Sequence, residues 1–342
     1  MADKSVKNEA EKPKSGGDDR AVDLILRPTS WDEYVGQEKV KRNLKVILGA
    51  ALKREESCDH LLFFGQAGLG KTTLATLVAR ELGANLKVTS GPALEKMADL
   101  AAVLTNLTPG DVLFIDEVHR LNRLIEEVLY PAMEMRKLHL VVGKGPAART
   151  VTMDLPPFTL VAATTRPSLL SAPLRSRFGA TFKLDYYEVP DIEEIVKRSA
   201  KLLNVAVNAE AINVIARASR FTPRVANRLL RRVRDFAEFN DQPEVDQEAA
   251  RKTLEMLEVD NLGLDPHDRR ILETIIDKFG GGPVGVGTLA AALNEDRGTI
   301  EDVYEPYLMS IGLLVRTPAG RKVTDLAYRH LGRRGPNQES LL

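Results

Sequence analysis

The stretch Gly65-Gln66-Ala67-Gly68-Leu69-Gly70-Lys71-Thr72 carries the pattern G-x-x-x-x-G-K-[ST]. These residue types at this spacing can hold a polyphosphate. The glycines, Gly68 and Gly70 among them, let consecutive backbone N–H groups turn inward around the phosphates. A helix beginning where the loop ends adds the positive end of its dipole. In that arrangement Lys71 reaches the β- and γ-phosphates and the Thr72 hydroxyl ligates Mg²⁺, while Thr73 opens the helix beside the bound nucleotide. Hydrolysis needs carboxylates as well, and Asp116-Glu117 ends the apolar run Val112-Leu113-Phe114-Ile115. Asp116 is placed to hold Mg²⁺ through water, and Glu117 to polarise the water that attacks the γ-phosphate. Thr165 ends the next buried run and would hydrogen-bond that water. His119 reads as a structural or relay residue. Arg175 and Arg177 follow shortly after; alone they are ordinary surface charge, but beside these motifs one could be donated to a neighbouring subunit's γ-phosphate. Arg224, in Thr222-Pro223-Arg224 at a helix start, can reach back to phosphates bound in its own chain.

These groups need a scaffold. Apolar runs predict strands over 61–64, 86–89, 112–115 and 158–162, with helices over 73–82, 94–104 and 124–135 between them. Strands alternating with helices predict an α/β fold with a parallel sheet. Strand-like segments 138–142 and 150–155, joined by Gly143-Lys144-Gly145-Pro146, read as an inserted hairpin in which Leu138, Leu140, Val141 and Val142 form an apolar segment. From Val189-Pro190 to about residue 257 the pattern is helical only. It contains Arg217, Arg220, Arg224, Arg228, Arg231, Arg232 and Arg234 with no acid among them. After Asn261 come helices over 268–279 and 288–293, and a third opened by a capping box at Thr299. A hairpin over 313–324 completes a winged helix-turn-helix. The third helix is acidic, with Glu301, Asp302 and Glu305, whereas a groove reader should be basic. The cations lie on the wing, at Arg316, Arg321 and Lys322, with Arg297 before the helix. They suit phosphate contact without sequence readout; a winged helix used for protein contacts is the alternative. The expected division is a disordered tail over 1–20, a P-loop domain over 21–184, a small helical lid over 185–258 and a winged helix over 259–342.

Composition sets outer bounds. Lys+Arg 48 balances Asp+Glu 48, so any nucleic-acid site must be a local patch. The single Cys58 excludes an internal disulfide, and the five His lack metal-ligand spacing. No apolar run is long enough to span a membrane and no signal segment opens the chain, so a reducing, cytoplasmic setting is expected.

Taken together, these residues resemble the AAA+ ATPases and, more closely, the RuvB family of Holliday-junction branch-migration motors. The likeness runs from about Leu26 to the C-terminus. Its specific stretches are Glu33-Tyr34-Val35-Gly36-Gln37, the run from Leu113 to Leu121, Gly145-Pro146-Ala147-Ala148-Arg149, Asp154 to Leu160, Ala163-Thr164-Thr165-Arg166, and Asn227 to Arg234. The resemblance implies ATP and Mg²⁺ as ligands, a homo-hexameric ring acting on duplex arms of Holliday junctions, and a role in recombination and repair. It makes Lys71 and Thr72 the Walker A pair, Asp116 and Glu117 Walker B, Thr165 sensor 1, Arg177 the trans arginine finger and Arg224 sensor 2. Leu26, Arg27 and Tyr187 match positions that line the nucleotide. The 138–155 hairpin matches the element that docks on RuvA, and RuvC is a further partner. Other AAA+ machines, such as clamp loaders or initiators, and a nucleotide-gated DNA-binding regulator are the rival readings. Clamp loaders place a helical collar where this chain has a winged helix, and initiators need a basic recognition helix. Three positions depart from the family pattern: Gln66-Ala67 for Pro-Pro, Phe221 for Gly, and Met135-Arg136 for an acid and an aromatic. Phe221 is expected to alter how the lid turns towards nucleotide.

Overall fold

A computed structural model describes residues 19–142 and 149–335. Most of the expected tail and the 143–146 turn lie outside them. Helices α1 (Asp19–Ile25) and α2 (Glu38–Arg54) lead into an alternating unit: β1 (Leu61–Phe64), α3 (Lys71–Glu81), β2 (Leu86–Ser90), α4 (Met97–Thr105), β3 (Val112–Asp116) and α5 (Arg123–Met135). An antiparallel hairpin, β4 (Lys137–Val142) and β5 (Arg149–Asp154), interrupts it before β6 (Thr159–Thr164), α6 (Ala172–Arg175) and β7 (Ala180–Lys183). The sheet is parallel, in the order β2-β3-β6-β1-β7. Strand β7 has no counterpart in the sequence reading. It is a four-residue edge strand with only Phe182 buried, so it lacks an apolar run.

The strands are apolar on both sides because both faces are covered. Phe63, Phe114 and Val161 face α2 and α3, packing with Leu44, Leu48, Leu74 and Val78. Their neighbours Leu62, Leu113, Ile115 and Leu160 face the opposite way, against Leu100, Leu104, Ile125 and Leu129 of α4 and α5. Each such fully buried side chain contributes about 1.5–3 kcal/mol. In parallel register, Phe64 pairs with Thr164 and Ile115 with Ala162. The carboxyl ends of β1, β3 and β6 therefore lie side by side, which brings Gly65, Asp116 and Thr165 to one edge.

Helices α7 (Val189–Leu202), α8 (Ala209–Ala218), α9 (Pro223–Phe239) and α10 (Gln247–Met256) form the lid. Its Ile192, Val196, Ile215, Leu230 and Val233 join the core on the α2–α3 side of the sheet. Between α8 and α9, Arg220 and Phe221 stand at φ 53° and 54°. A side-chain-bearing residue there costs about 1–2 kcal/mol.

A third core belongs to α11 (Pro266–Phe279), α12 (Val286–Leu293), a final helical stretch, the wing β8 (Leu314–Thr317) and β9 (Gly320–Val323), and α15 (Asp325–His330). The final stretch comprises α13 (Arg297–Thr299), one π turn (Ile300–Tyr304) and α14 (Glu305–Ser310). Pro306 explains the π turn: it has no N–H for the Asp302 carbonyl and its ring would press on it. The expected cap at Thr299 is corrected to Asp296, whose side chain accepts from the Thr299 amide at 3.1 Å. Thr299 itself is already helical, at φ −60° and ψ −43°.

Candidate nucleotide site

The loop between β1 and α3 turns through three left-handed glycines, Gly65, Gly68 and Gly70. All three also need the absence of a Cβ, which at Gly65 would lie 2.5 Å from the Leu184 carbonyl oxygen. At Gly70 a Cβ would lie 2.8 Å from the Tyr34 hydroxyl, and at Gly68 it would lie 3.0 Å from Arg224 Cβ. Helix α3 begins at Lys71, two residues before the expected start, so Lys71, Thr72 and Thr73 form its first turn. Lys71 Nζ donates to the Gly65 and Gln66 carbonyls at 2.8 Å each. Burial pulls its pKa down to about 8, against the pull of Asp116.

Beneath the loop, Tyr187 Oη donates towards Tyr34 Oη at 3.2 Å and the Leu69 carbonyl at 3.3 Å. Burial pushes the Tyr34 phenol well above its ordinary range and Tyr187 up to about 12, so both remain neutral.

Glu117 stands at φ 49°, a left-handed turn that lifts its side chain off the end of β3. Gly91 makes room, since a Cβ there would come 2.4 Å from the Glu117 carbonyl. Asp116 Oδ1 accepts from the Glu117 amide at 2.9 Å, and Arg120 lies 3.3 Å from Glu117 Oε2. The two threonines at the end of β6 face different ways. Thr164 is buried, shares a 2.9 Å hydrogen bond with His119 Nδ1 and accepts from the Arg166 amide. Thr165 faces the cleft. Burial lowers the His119 pKa, so the ring is neutral at pH 7 and ties the turn after β3 to β6.

One cleft is lined by Gly68, Gly70, Lys71, Thr72, Thr73, Asp116, Glu117 and Thr165 from the sheet domain, by Leu26 and Arg27 before it, and by Tyr187 and Arg224 from the lid side. Arg198 of α7, which carries no motif signal in the sequence, donates to the Leu26 carbonyl at 2.9 Å, the Arg27 carbonyl at 3.4 Å and Glu33 Oε2 at 3.1 Å. It holds the rim of the cleft. Lys197-Arg198 reads locally as solvated helix charge, and no spacing rule reaches contacts so distant in sequence. The lining fits a nucleoside triphosphate with Mg²⁺: a glycine turn at a helix N-terminus, an ammonium, a hydroxyl and a carboxylate converge.

Comparison with known proteins agrees. The RuvB P-loop family model ("Holliday junction DNA helicase RuvB P-loop domain") matches residues 26–184, the RuvB AAA lid 187–260, and the RuvB C-terminal winged helix 261–332. The chain belongs to the RuvB family. It is similar to the Thermotoga maritima RuvB Holliday junction branch migration motor, at 50% identity and TM-score 0.83, over 91% of this chain and 100% of that one. Two point variants of that protein align over the same shares at TM-score 0.84, with 50% and 49% identity. The resemblance read from the motifs is borne out, and with it the parallel-sheet P-loop, lid and winged-helix architecture. This RuvB-family chain is thus a nucleotide-binding AAA+ ATPase.

Arg177 does not line the cleft. It donates to the Pro173 carbonyl at 2.7 Å and to Glu134 at 3.0 Å, with its guanidinium 4.7 Å from the Tyr130 ring centre. On the wing, one expectation is revised. Arg321 is only 8% exposed and donates to Glu305 at 2.6 Å and Glu301 at 2.9 Å, so it is a structural cation and not a phosphate contact. Burial alone would raise Glu301, but hydrogen bonds from Arg297 and Arg321 outweigh it and hold its pKa low. Arg316 is half exposed and bonds Glu305 at 2.7 Å; Arg297 and Lys322 are exposed. Glu301 and Glu305 of the acidic third helix are thus neutralised by the wing, and its Asp302 pairs with Arg166 just after β6.

The apolar segment of the hairpin divides between core and surface. Leu138 is core, packed with α5 residues. Leu138 pairs with Met153 and Leu140 with Val151, so the four share a face that emerges into solvent, Val151 being 44% and Met153 39% exposed. The side chains of Val141 and Val142 lie outside the described residues. No described helix is long and apolar enough to cross a membrane.

Proposed function

We propose that this chain is an ATP-driven DNA translocase which, as a homo-hexameric ring working with RuvA, drives branch migration of Holliday junctions in recombination and repair. The observation that carries the reading is the split of the catalytic groups. The P-loop, Asp116, Glu117, Thr165 and Arg224 border one cleft, while Arg177 lies outside it and would complete a neighbour's site. Lys71 and the loop amides bind and orient the triphosphate. Glu117 takes the proton of the attacking water, Thr165 orients that water, and Arg177 from the next subunit stabilises charge on the transferred group. Mg²⁺, held through Thr72 and water-bridged Asp116, would neutralise the phosphate oxygens. The lid then moves relative to the sheet, and wings carrying Arg316 and Lys322, with Arg297 beside them, track the duplex backbone without reading bases. The apolar hairpin face is of the kind that docks on another protein, here RuvA; RuvC is the further partner in a cytoplasmic complex.

The test is ATP-dependent strand exchange on a synthetic four-way junction with RuvA. Glu117→Gln should retain ATP binding and lose about 10²–10⁴-fold in turnover and migration, the usual worth of a positioned base. Near-normal turnover in Glu117→Gln, or migration without ATP, would overturn the assignment.

A further inference from the structure

Two lid segments each carry residues that face opposite ways. In Tyr186-Tyr187, Tyr187 lines the nucleotide cleft. Tyr186 stands edge-on to Tyr307 of α14, with ring centres 6.3 Å apart. At the start of α9, Arg224 lines the cleft, while in the turn just before it Phe221 packs on Tyr307 at 6.2 Å and the Arg220 guanidinium sits 4.4 Å over the same ring. The Tyr187 amide donates to the Phe221 carbonyl at 3.0 Å, so the two segments are tied to each other. Tyr307 is 2% exposed and its hydroxyl donates to the Leu262 carbonyl. Arg220 also donates to both oxygens of buried Asp268 on α11, at 2.9 and 3.4 Å. One ring of the winged-helix domain therefore touches both segments that border the nucleotide.

The other side of α14 leads to the wing. Glu305, two residues from Tyr307, holds Arg321 and Arg316 of the two wing strands at 2.6 and 2.7 Å. Phe221 occupies its place at a backbone cost, since its φ of 54° suits glycine. A glycine there would relieve the strain and forfeit the ring packing.

We propose that Phe221 is a positioning residue that locks the winged-helix domain onto the nucleotide-facing turn of the lid, passing the lid's response to nucleotide through Tyr307 and Glu305 into the wing. This rests on the reading of the chain as a DNA motor with Arg224 as its nucleotide sensor. Phe221 itself does not line the cleft. The joint explains why the third helix is acidic: it serves contacts inside the protein and not a DNA groove.

The experiment uses the full chain and compares ATP affinity, basal ATPase and duplex-stimulated ATPase. Phe221→Gly, which eases the backbone, should keep ATP affinity and basal turnover but lose at least about fivefold of the DNA stimulation, the lower end of a typical coupling between sites. Phe221→Tyr should retain the stimulation. Tyr186→Ala, which loosens the same ring from the other segment, should resemble Phe221→Gly. Unchanged stimulation in Phe221→Gly would overturn the proposal, as would equal loss of basal and stimulated turnover. Arg224→Ala checks the underlying reading separately: it should weaken ATP binding, and wild-type-like binding there would overturn the sensor assignment and the coupling built on it.

Discussion

Lys71 is an ammonium buried among backbone carbonyls, and its pKa near 8 is the consequence of lost hydration. Below pH 8 the side chain is charged and ready for a polyphosphate; above it the neutral amine predominates. Bound phosphates would restore an ordinary lysine pKa, so binding should take up a proton. Near pH 8 the uptake should be about half a proton per nucleotide, and affinity should decline as pH rises further. Titration calorimetry in buffers of different ionisation enthalpy measures this directly. Equal affinity from neutral pH to well above 9, with no proton uptake, would show that Lys71 is charged throughout.

At the scale of elements, the wing and third helix are one electrostatic unit. Glu305 is 1% exposed and its carboxylate is paired with Arg321 and Arg316. Removing Arg321 strands part of that charge, and breaking a buried pair typically costs about 3–5 kcal/mol. With Arg316 still in place, Arg321→Ala should fall near the lower end and show as a clear drop in melting temperature. Lys322→Ala should leave stability within about 0.5 kcal/mol. It should instead reduce the slope of log affinity against log salt by about 0.9 for each phosphate that Lys322 neutralises, equally on two unrelated duplexes. A sequence preference that vanished in Lys322→Ala would mean that the wing reads bases. The β4–β5 hairpin makes a parallel case. Met153→Glu, on the exposed part of the apolar face, should abolish pull-down with RuvA and spare basal ATPase. Leu138→Glu should unfold its surroundings, because that side chain is core.

In the proposed ring, one chain supplies only part of each active site. Arg177 lies away from its own cleft, held by Glu134 and the Pro173 carbonyl. Arg177→Ala should bind ATP yet lose about 10³–10⁵-fold in turnover, the worth of an arginine finger. Lys71→Ala should lose nucleotide binding. Mixed rings of the two variants should regain activity, since some interfaces then join an intact P-loop to an intact finger. Confirmed mixed rings without any rescue would place Arg177 in a cis or structural role.

Local chemistry in the sequence determined the nucleotide half of this protein. The P-loop spacing requires a strand, a tight glycine turn and a helix, and a buried parallel strand ending in Asp116-Glu117 can present carboxylates only at its carboxyl edge. The helical lid and the winged helix were legible from periodicity for the same local reason. Tertiary structure decided what contacts distant in sequence decide. Whether Arg321 meets DNA or Glu305 depends on a packing of wing against α14 that no spacing encodes. Leu138 turned inward because α5 lies beneath it. Arg198 found the Leu26 and Arg27 carbonyls outside its own lid, and Phe221 found Tyr307 in another domain. In each case side-chain type was plain in the sequence, while its partner was fixed only when separate elements closed over shared cores and buried charges had to find their counter-ions.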